Sequence, residues 1–206
     1  MITASPTAPL GEVKDLETYS PADFQSTSAI LCRNTAPLVS FAFSLIRKDV
    51  GCRILGREIG ANLISIVTKA KAMDLTDLEQ KLISMRKREL DRAAKKFNPA
   101  LLSAIEDKYD CLNIFLQNCT SIQNLTDRIT TLFDDKAKGL LTLATVHKSK
   151  GLEWPTVFIL DRNLMPSKWA TLPWQQIQER NIQYVAVTRA KLNLYYIESN
   201  SWKQNK

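Results

Sequence analysis

Apolar positions along the chain alternate between two periods. Ala29-Ile30-Leu31-Cys32 is a short continuous apolar run of the kind a buried strand shows. Arg33-Asn34-Thr35 follows, with Thr35 placed to cap a helix and Pro37 tolerated in its first turn. Leu38, Phe41, Ala42, Leu45 and Ile46 then recur at helical spacing on one face. Cys52 to Leu55 reads as a second short strand. Asn62 to Ala72 reads as a helix, with Leu63, Ile66, Val67 and Ala70 on one side. From Asp74 to Phe133 the pattern is all helical. Thr76 and Glu79 have capping-box spacing with Leu75 as a staple, and Leu78, Leu82 and Met85 follow. After the break at Asn98-Pro99, one helix carries Leu101, Leu102, Ile105, Tyr109, Leu112 and Leu116. Another carries Ile122, Leu125, Ile129 and Leu132.

Strand patterns return at Leu140 to Val146 and Thr156 to Leu160. A helix from Gln175 to Ala190 and a strand from Leu192 to Ile197 complete the chain. Strands alternating with helices predict right-handed βαβ units and an α/β parallel sheet flanked by helices. Residues 1–28, rich in Thr, Ser, Pro and Ala, read as a linker or tail with a short ordered turn near Pro21 to Phe24. The expected organisation is thus 1–28 tail, 29–73 first α/β portion, 74–135 helical insertion and 136–206 second α/β portion.

Composition narrows the class. The chain has 206 residues, 45% hydrophobic and 24% charged, the balance of a globular rather than a disordered chain. No apolar run approaches the ~20 residues of a membrane span. The first residues show neither basic nor apolar signal-peptide regions, so no membrane partner and a cytoplasmic location are expected. Four cysteines without a C-x-x-C pair, and a single histidine, argue against a zinc site and suit a reducing compartment. A net charge of +7 suits a polyanionic partner such as nucleic acid, with a plain solvated surface as the alternative.

Candidate chemistry is concentrated in three places. Thr145-Val146-His147-Lys148-Ser149-Lys150-Gly151-Leu152-Glu153-Trp154 follows a strand and packs hydroxyls, a histidine and two lysines into one turn. Such a turn can hold a phosphodiester backbone without reading bases; a basic surface turn is the alternative. Tyr184-Val185-Ala186-Val187-Thr188-Arg189-Ala190-Lys191 ends a helix on an arginine. Arg189 is either a charge favourable to the helix dipole or a finger for a terminal phosphate. Arg33 stands just past a strand, where α/β folds place ligand groups. There is no G-x-x-x-x-G-K-[ST]; Gly56-Arg57-Glu58-Ile59-Gly60 lacks the lysine and hydroxyl that phosphate and magnesium require. Val157 to Asp161 mimics a strand ending in a magnesium-binding acid, but reads better as a buried strand. Every triad arrangement would have to use His147, and none stands out.

TVHKSKGLEWPTVFIL resembles motif V of superfamily 1 DNA helicases of the UvrD/Rep/PcrA type, ERNIQYVAVTRAK resembles motif VI, and AILCRN resembles motif IV. The resemblance covers roughly Ser28 to Ser199. It implies a RecA-like second motor domain, called 2A, with a short 2B-like insertion, acting in an ATP-dependent helicase or translocase. Arg33 and Arg189 would reach the γ-phosphate, Glu153 would face the ribose, and Tyr184 would lie near the interdomain cleft. Thr145, His147, Lys148 and Lys150 would meet the single-strand backbone, Lys150 and Gly151 would shape the turn, and Gly151 and Tyr184 would border the nucleotide. ATP with Mg2+ is implied as cofactor, the ion being held by an N-terminal P-loop motor domain, in cis in a parent protein or in trans. Single-stranded DNA and a single-strand/duplex junction are the implied partners. Cys32 stands where the family often has an adenine-stacking aromatic residue. Arg86, Lys87, Arg88, Arg92, Lys95 and Lys96 form either a solvated face or a duplex-contacting surface. Without a P-loop the isolated chain is expected to be inactive; the rival reading is a non-catalytic nucleic-acid-binding or regulatory remnant.

Overall fold

The computed structural model describes residues 10–96 and 98–202. Six strands, β1 (Glu12–Asp15), β2 (Ala29–Cys32), β3 (Cys52–Ile54), β4 (Leu141–Thr145), β5 (Trp154–Leu160) and β6 (Ala190–Ile197), form one sheet. Its order is β1-β6-β5-β2-β4-β3 and every pairing is parallel. The helices are α1 (Thr35–Ile46), α2 (Arg57–Ala70), α3 (Leu75–Ala94), α4 (Pro99–Leu116), α5 (Ile122–Leu132) and α6 (Pro173–Val187). This is the α/β, RecA-like arrangement of a parallel sheet between helices.

A parallel sheet covered on both faces needs strands that are apolar throughout. β2 shows how: all four of its residues are buried, and alternate side chains go to opposite faces. Ile30 and Cys32 join the larger core, with α1 to α5. Ala29 and Leu31 join the smaller one, with Ala186 of α6. Cys32 is 0% exposed, and burial pushes its thiol up to about 12. It therefore fills the core and presents nothing to a ligand, and no aromatic stacker takes its place on this strand.

The tail reading of residues 1–28 is corrected over its described part. β1 adds to the edge of the sheet beside β6, and Tyr19 and Phe24 are buried in an aromatic cluster with Phe41, Phe158 and Trp202. The turn near Pro21 to Phe24 is there, as a 3-10 turn over Pro21–Asp23. The sequence hid β1 because Glu12-Val13-Lys14-Asp15 is an edge strand with little apolar surface.

The three helices expected between 74 and 135 all form, but they share the core of the sheet. Leu78, Leu82, Ile105, Leu112, Leu125 and Ile129 belong to the same buried cluster as Ile30 and Leu143. The caps also differ from expectation. Asp74, not Thr76, caps α3 by accepting the Asp77 amide. Thr35 is the first residue of α1 rather than its cap, and Asn34 makes no cap bond. Instead Asp107 of α4 accepts from the Thr35 and Ala36 amides at 2.8 Å each. A carboxylate from a distant helix thus satisfies donors that sequence-local capping leaves orphaned. Among the described residues no helix is long and apolar enough to cross a membrane.

Candidate functional site

The candidate residues fall at the two opposite ends of the sheet. At the C-terminal end of β2 and β4, Arg33, Thr145 and His147 line one cleft of about 360 Å³ between α4 and α6. Thr145 is the last residue of β4 and is largely buried, and its Oγ1 accepts from the Lys148 amide at 3.4 Å. His147 stands in the turn beyond it with an exposed edge. Burial of the rest of the ring and the nearby Arg33 guanidinium lower its pKa against the pull of Glu179, so it is neutral at pH 7.

Arg33 is not free. Its Nη2 donates to Glu179 Oε1 at 2.7 Å and its Nε to Oε2 at 3.1 Å. The pair is well shielded, with 18% and 7% of the two side chains exposed. Glu179 also accepts from the Ser167 amide at 2.8 Å. Burial pushes the Glu179 carboxyl up, but the Arg33 and Ser167 hydrogen bonds outweigh it and hold the pKa below its usual value. Glu179 went unnoticed in the sequence although a signal exists. Gln175, Glu179 and Ala186 are the buried positions of α6, at helical spacing, and two of them are polar. A carboxylate in a helix's buried stripe needs a cation.

From Thr145 the chain crosses the smaller-core face of the sheet in a hydrogen-bonded turn. Ser149 is fully buried there, its Oγ donating to the Val146 carbonyl at 2.8 Å. Lys148 pairs with Glu58 at the start of α2, while Lys150 is exposed and has no ion-pair partner among the described residues. Gly151 has φ +84°, a left-handed conformation that favours glycine, with open space where a side chain would begin.

The turn delivers Glu153 to the N-terminal end of β5, beside Arg189 just before β6. Trp154 donates its amide to the Arg189 carbonyl at 3.0 Å. The Arg189 guanidinium donates to three neutral oxygens at 3.0 Å: Val185 O from Nε, Leu152 O from Nη1 and Thr188 Oγ1 from Nη2. No carboxylate lies within ion-pair distance of it among the described residues; Glu153 pairs instead with Lys191 at 3.7 Å. Tyr184 is 53% exposed on the flank of α6.

Arg33 and Arg189 stand at opposite ends of the sheet. Leu31 lies level with Ile159, and Ala190 level with Trp154. Arg33 and Arg189 are thus about eight residue steps apart along the strands, roughly 25 Å at ~3.3 Å per step. The structure brings Arg33 together with Thr145 and His147, and Arg189 together with Gly151 and Glu153.

Known proteins match this chain over the same elements. The family model for the UvrD-like helicase C-terminal domain matches residues 61–201. That span includes the Thr145 to Trp154 and Glu179 to Lys191 segments and leaves Arg33 outside. The ATP-dependent DNA helicase PcrA of Staphylococcus epidermidis is 32% identical over 146 residues, 67% of this chain and 19% of its own length. UvrD1 of Mycobacterium leprae is 35% identical over 99 residues, 45% of this chain and 12% of its own. Srs2 of Schizosaccharomyces pombe is 34% identical over 79 residues, 36% of this chain and 9% of its own. The chain thus spans less than a fifth of these relatives, and by the family match it belongs to the UvrD-like helicase C-terminal domains.

Proposed function

We propose that this chain is the second RecA-like motor domain of an ATP-dependent helicase or translocase acting on single-stranded DNA. The observation that carries the reading is the division of chemistry between the two ends of the sheet. One end offers the Thr145 hydroxyl and the neutral imidazole of His147 at a strand terminus, with the exposed Lys150 in the turn that leads away from them, groups that position a phosphodiester backbone. The other offers Arg189, whose hydrogen bonds leave its charge uncancelled, beside Glu153.

In this reading the Arg189 end faces ATP bound on a P-loop domain supplied in cis or in trans. ATP supplies the phosphoanhydride whose hydrolysis drives the motion. Arg189 would stabilise charge developing on the terminal phosphate, and Glu153 would accept a ribose hydroxyl. Mg2+ would be held by the P-loop partner, whose motif supplies the hydroxyl and the acid such an ion needs. Exposed Ile177, Tyr184 and Val187 on α6, with Leu152 and Leu192 nearby in the fold, supply an apolar surface for that partner.

The helical segment fits contact with a junction duplex. Arg86 is tied to Asp110, whereas Lys87, Arg88, Arg92, Lys95 and Lys96 have no ion-pair partner among the described residues. Such charges bind duplex phosphates irrespective of sequence.

Anisotropy of a labelled oligo-dT, with ATP turnover followed in parallel, tests the reading. Affinity is expected to fall with salt with a log–log slope of about −1.4 for two neutralised phosphates. The chain alone is expected to show no DNA-stimulated ATPase, because it contains no P-loop lysine. Robust turnover by this chain, or affinity independent of salt, overturns it.

A further inference from the structure

α3 and α4 lie side by side, tied by Arg86 to Asp110 and by Lys108 to Glu89. Past the second tie, toward the C-terminal end of α3, they leave a notch of about 290 Å³. Its floor is apolar. Ala93 and Ile105 are buried there, while Ala104 and Leu101 stay open to solvent, Leu101 by 37%. One end is closed by Glu89, whose two carboxylate oxygens accept from Lys108 Nζ at 2.6 Å and from the Tyr109 hydroxyl at 2.8 Å. The long wall is cationic. Arg92 and Lys96 border the notch, exposed and without an ion-pair partner among the described residues. Arg88 continues their row, its Nε on the neutral Ser84 carbonyl at 3.3 Å. At four-residue intervals, Arg88, Arg92 and Lys96 extend about 12 Å along one face of α3 at ~1.5 Å per residue.

The wall calls for anions at helical spacing, and the floor calls for an apolar side chain beside them. Duplex phosphates meet only the first demand, because a sugar-phosphate backbone brings nothing apolar to cover Leu101 and Ala104. Lys87 and Lys95 lie about 100° around the helix from Arg88 and Lys96, so the duplex reading keeps a face of its own. We propose that the notch docks an acidic amphipathic helix of a partner protein. Carboxylates at i, i+4 and i+8 of that helix meet Arg88, Arg92 and Lys96, and a leucine-sized side chain fills the space over Leu101 and Ala104. Charge complementarity selects this occupant. Glu89 is the one carboxylate among the residues that line the notch, and Lys108 already neutralises it, so little repels an incoming acid. The surface does not draw on the strand-end groups, and its failure leaves the motor reading standing.

The probe is a labelled synthetic helical peptide with glutamates at i, i+4 and i+8 beside a leucine, compared by anisotropy with the same peptide carrying serine for leucine, both on the full chain. The leucine peptide is expected to bind roughly tenfold tighter, the size of one apolar side chain leaving water. Arg92→Glu and Lys96→Glu, both at exposed positions, should each weaken it roughly fivefold with an unchanged circular dichroism melt. Leu101→Ser should erase the preference for leucine over serine. Lys87→Glu, on the other face, should leave binding within about twofold of the unaltered chain. Equal binding of the two peptides overturns the notch, and so does a loss in Lys87→Glu as large as in Lys96→Glu. Binding of neither peptide overturns it as well. Displacement of the leucine peptide by an equal concentration of duplex oligonucleotide assigns the cationic row to nucleic acid and overturns the peptide site.

Discussion

Arg33 and Glu179 lie 146 residues apart and meet in a two-point ion pair, Nη2 to Oε1 at 2.7 Å and Nε to Oε2 at 3.1 Å. With the Ser167 amide on the same carboxylate, the pair fastens the end of β2 to the loop before α6 and to α6 itself. From Glu179, α6 runs on to Val187 and so toward Arg189 at the opposite end of the sheet. A buried pair of this kind is costly to break on one side, because the survivor is left charged and unpaired.

Glu179→Gln or Arg33→Met is accordingly expected to lower stability by about 3–5 kcal/mol in urea unfolding, with the double replacement by methionine recovering most of the loss. The pH dependence follows from the depressed Glu179 pKa. Its contribution is complete above the unfolded value near 4.5 and is lost as pH falls through the lower folded value. An unchanged urea midpoint in both single variants would show that the pair holds nothing together.

His147 is the single histidine, so its proton titration by NMR is read without assignment. Its midpoint should lie below 6.5, since burial and Arg33 both disfavour the imidazolium. The folded state then binds fewer protons than the unfolded one below that value, so stability at this site falls as pH drops. Arg33→Met should raise the midpoint and Glu179→Gln should lower it further, because the two neighbours act in opposite directions. A midpoint above 6.5 contradicts this placement of the ring.

Asp107→Ala removes the cap that α4 provides for α1, leaving the Thr35 and Ala36 amides without their acceptor. A loss of about 2–3 kcal/mol is expected in thermal or urea unfolding, in a single transition. Two separate transitions would mean that the helical segment folds as its own unit.

Gly151→Ala is expected to cost about 1–2 kcal/mol through its left-handed backbone alone, since nothing crowds the new methyl group. Gly151→Asn should cost less, because asparagine tolerates that conformation better. Equal stabilities of glycine and alanine at 151 would place the turn elsewhere.

The alternation of strand and helix was legible because both faces of the sheet are buried, which makes β2, β4 and most of β5 read as apolar runs. The segments around His147 and Arg189 were legible as patterns of residue types. Their placement was not, because which end of a sheet a loop reaches depends on strand order and register. The partner of Arg33 marks the limit: the carboxylate that meets it lies 146 residues away, and local sequence does not pair the two. β1 was hidden by its polar composition, and the true cap of α1 by its distance in sequence.

Backbone amide NMR of the full chain titrated with oligo-dT tests the division of labour between the two ends of the sheet most directly. Shifts are predicted at Thr145, His147 and the cleft beside them, with Gly151, Glu153 and Arg189 unmoved. Shifts centred on Glu153 and Arg189, with Thr145 and His147 silent, would contradict it.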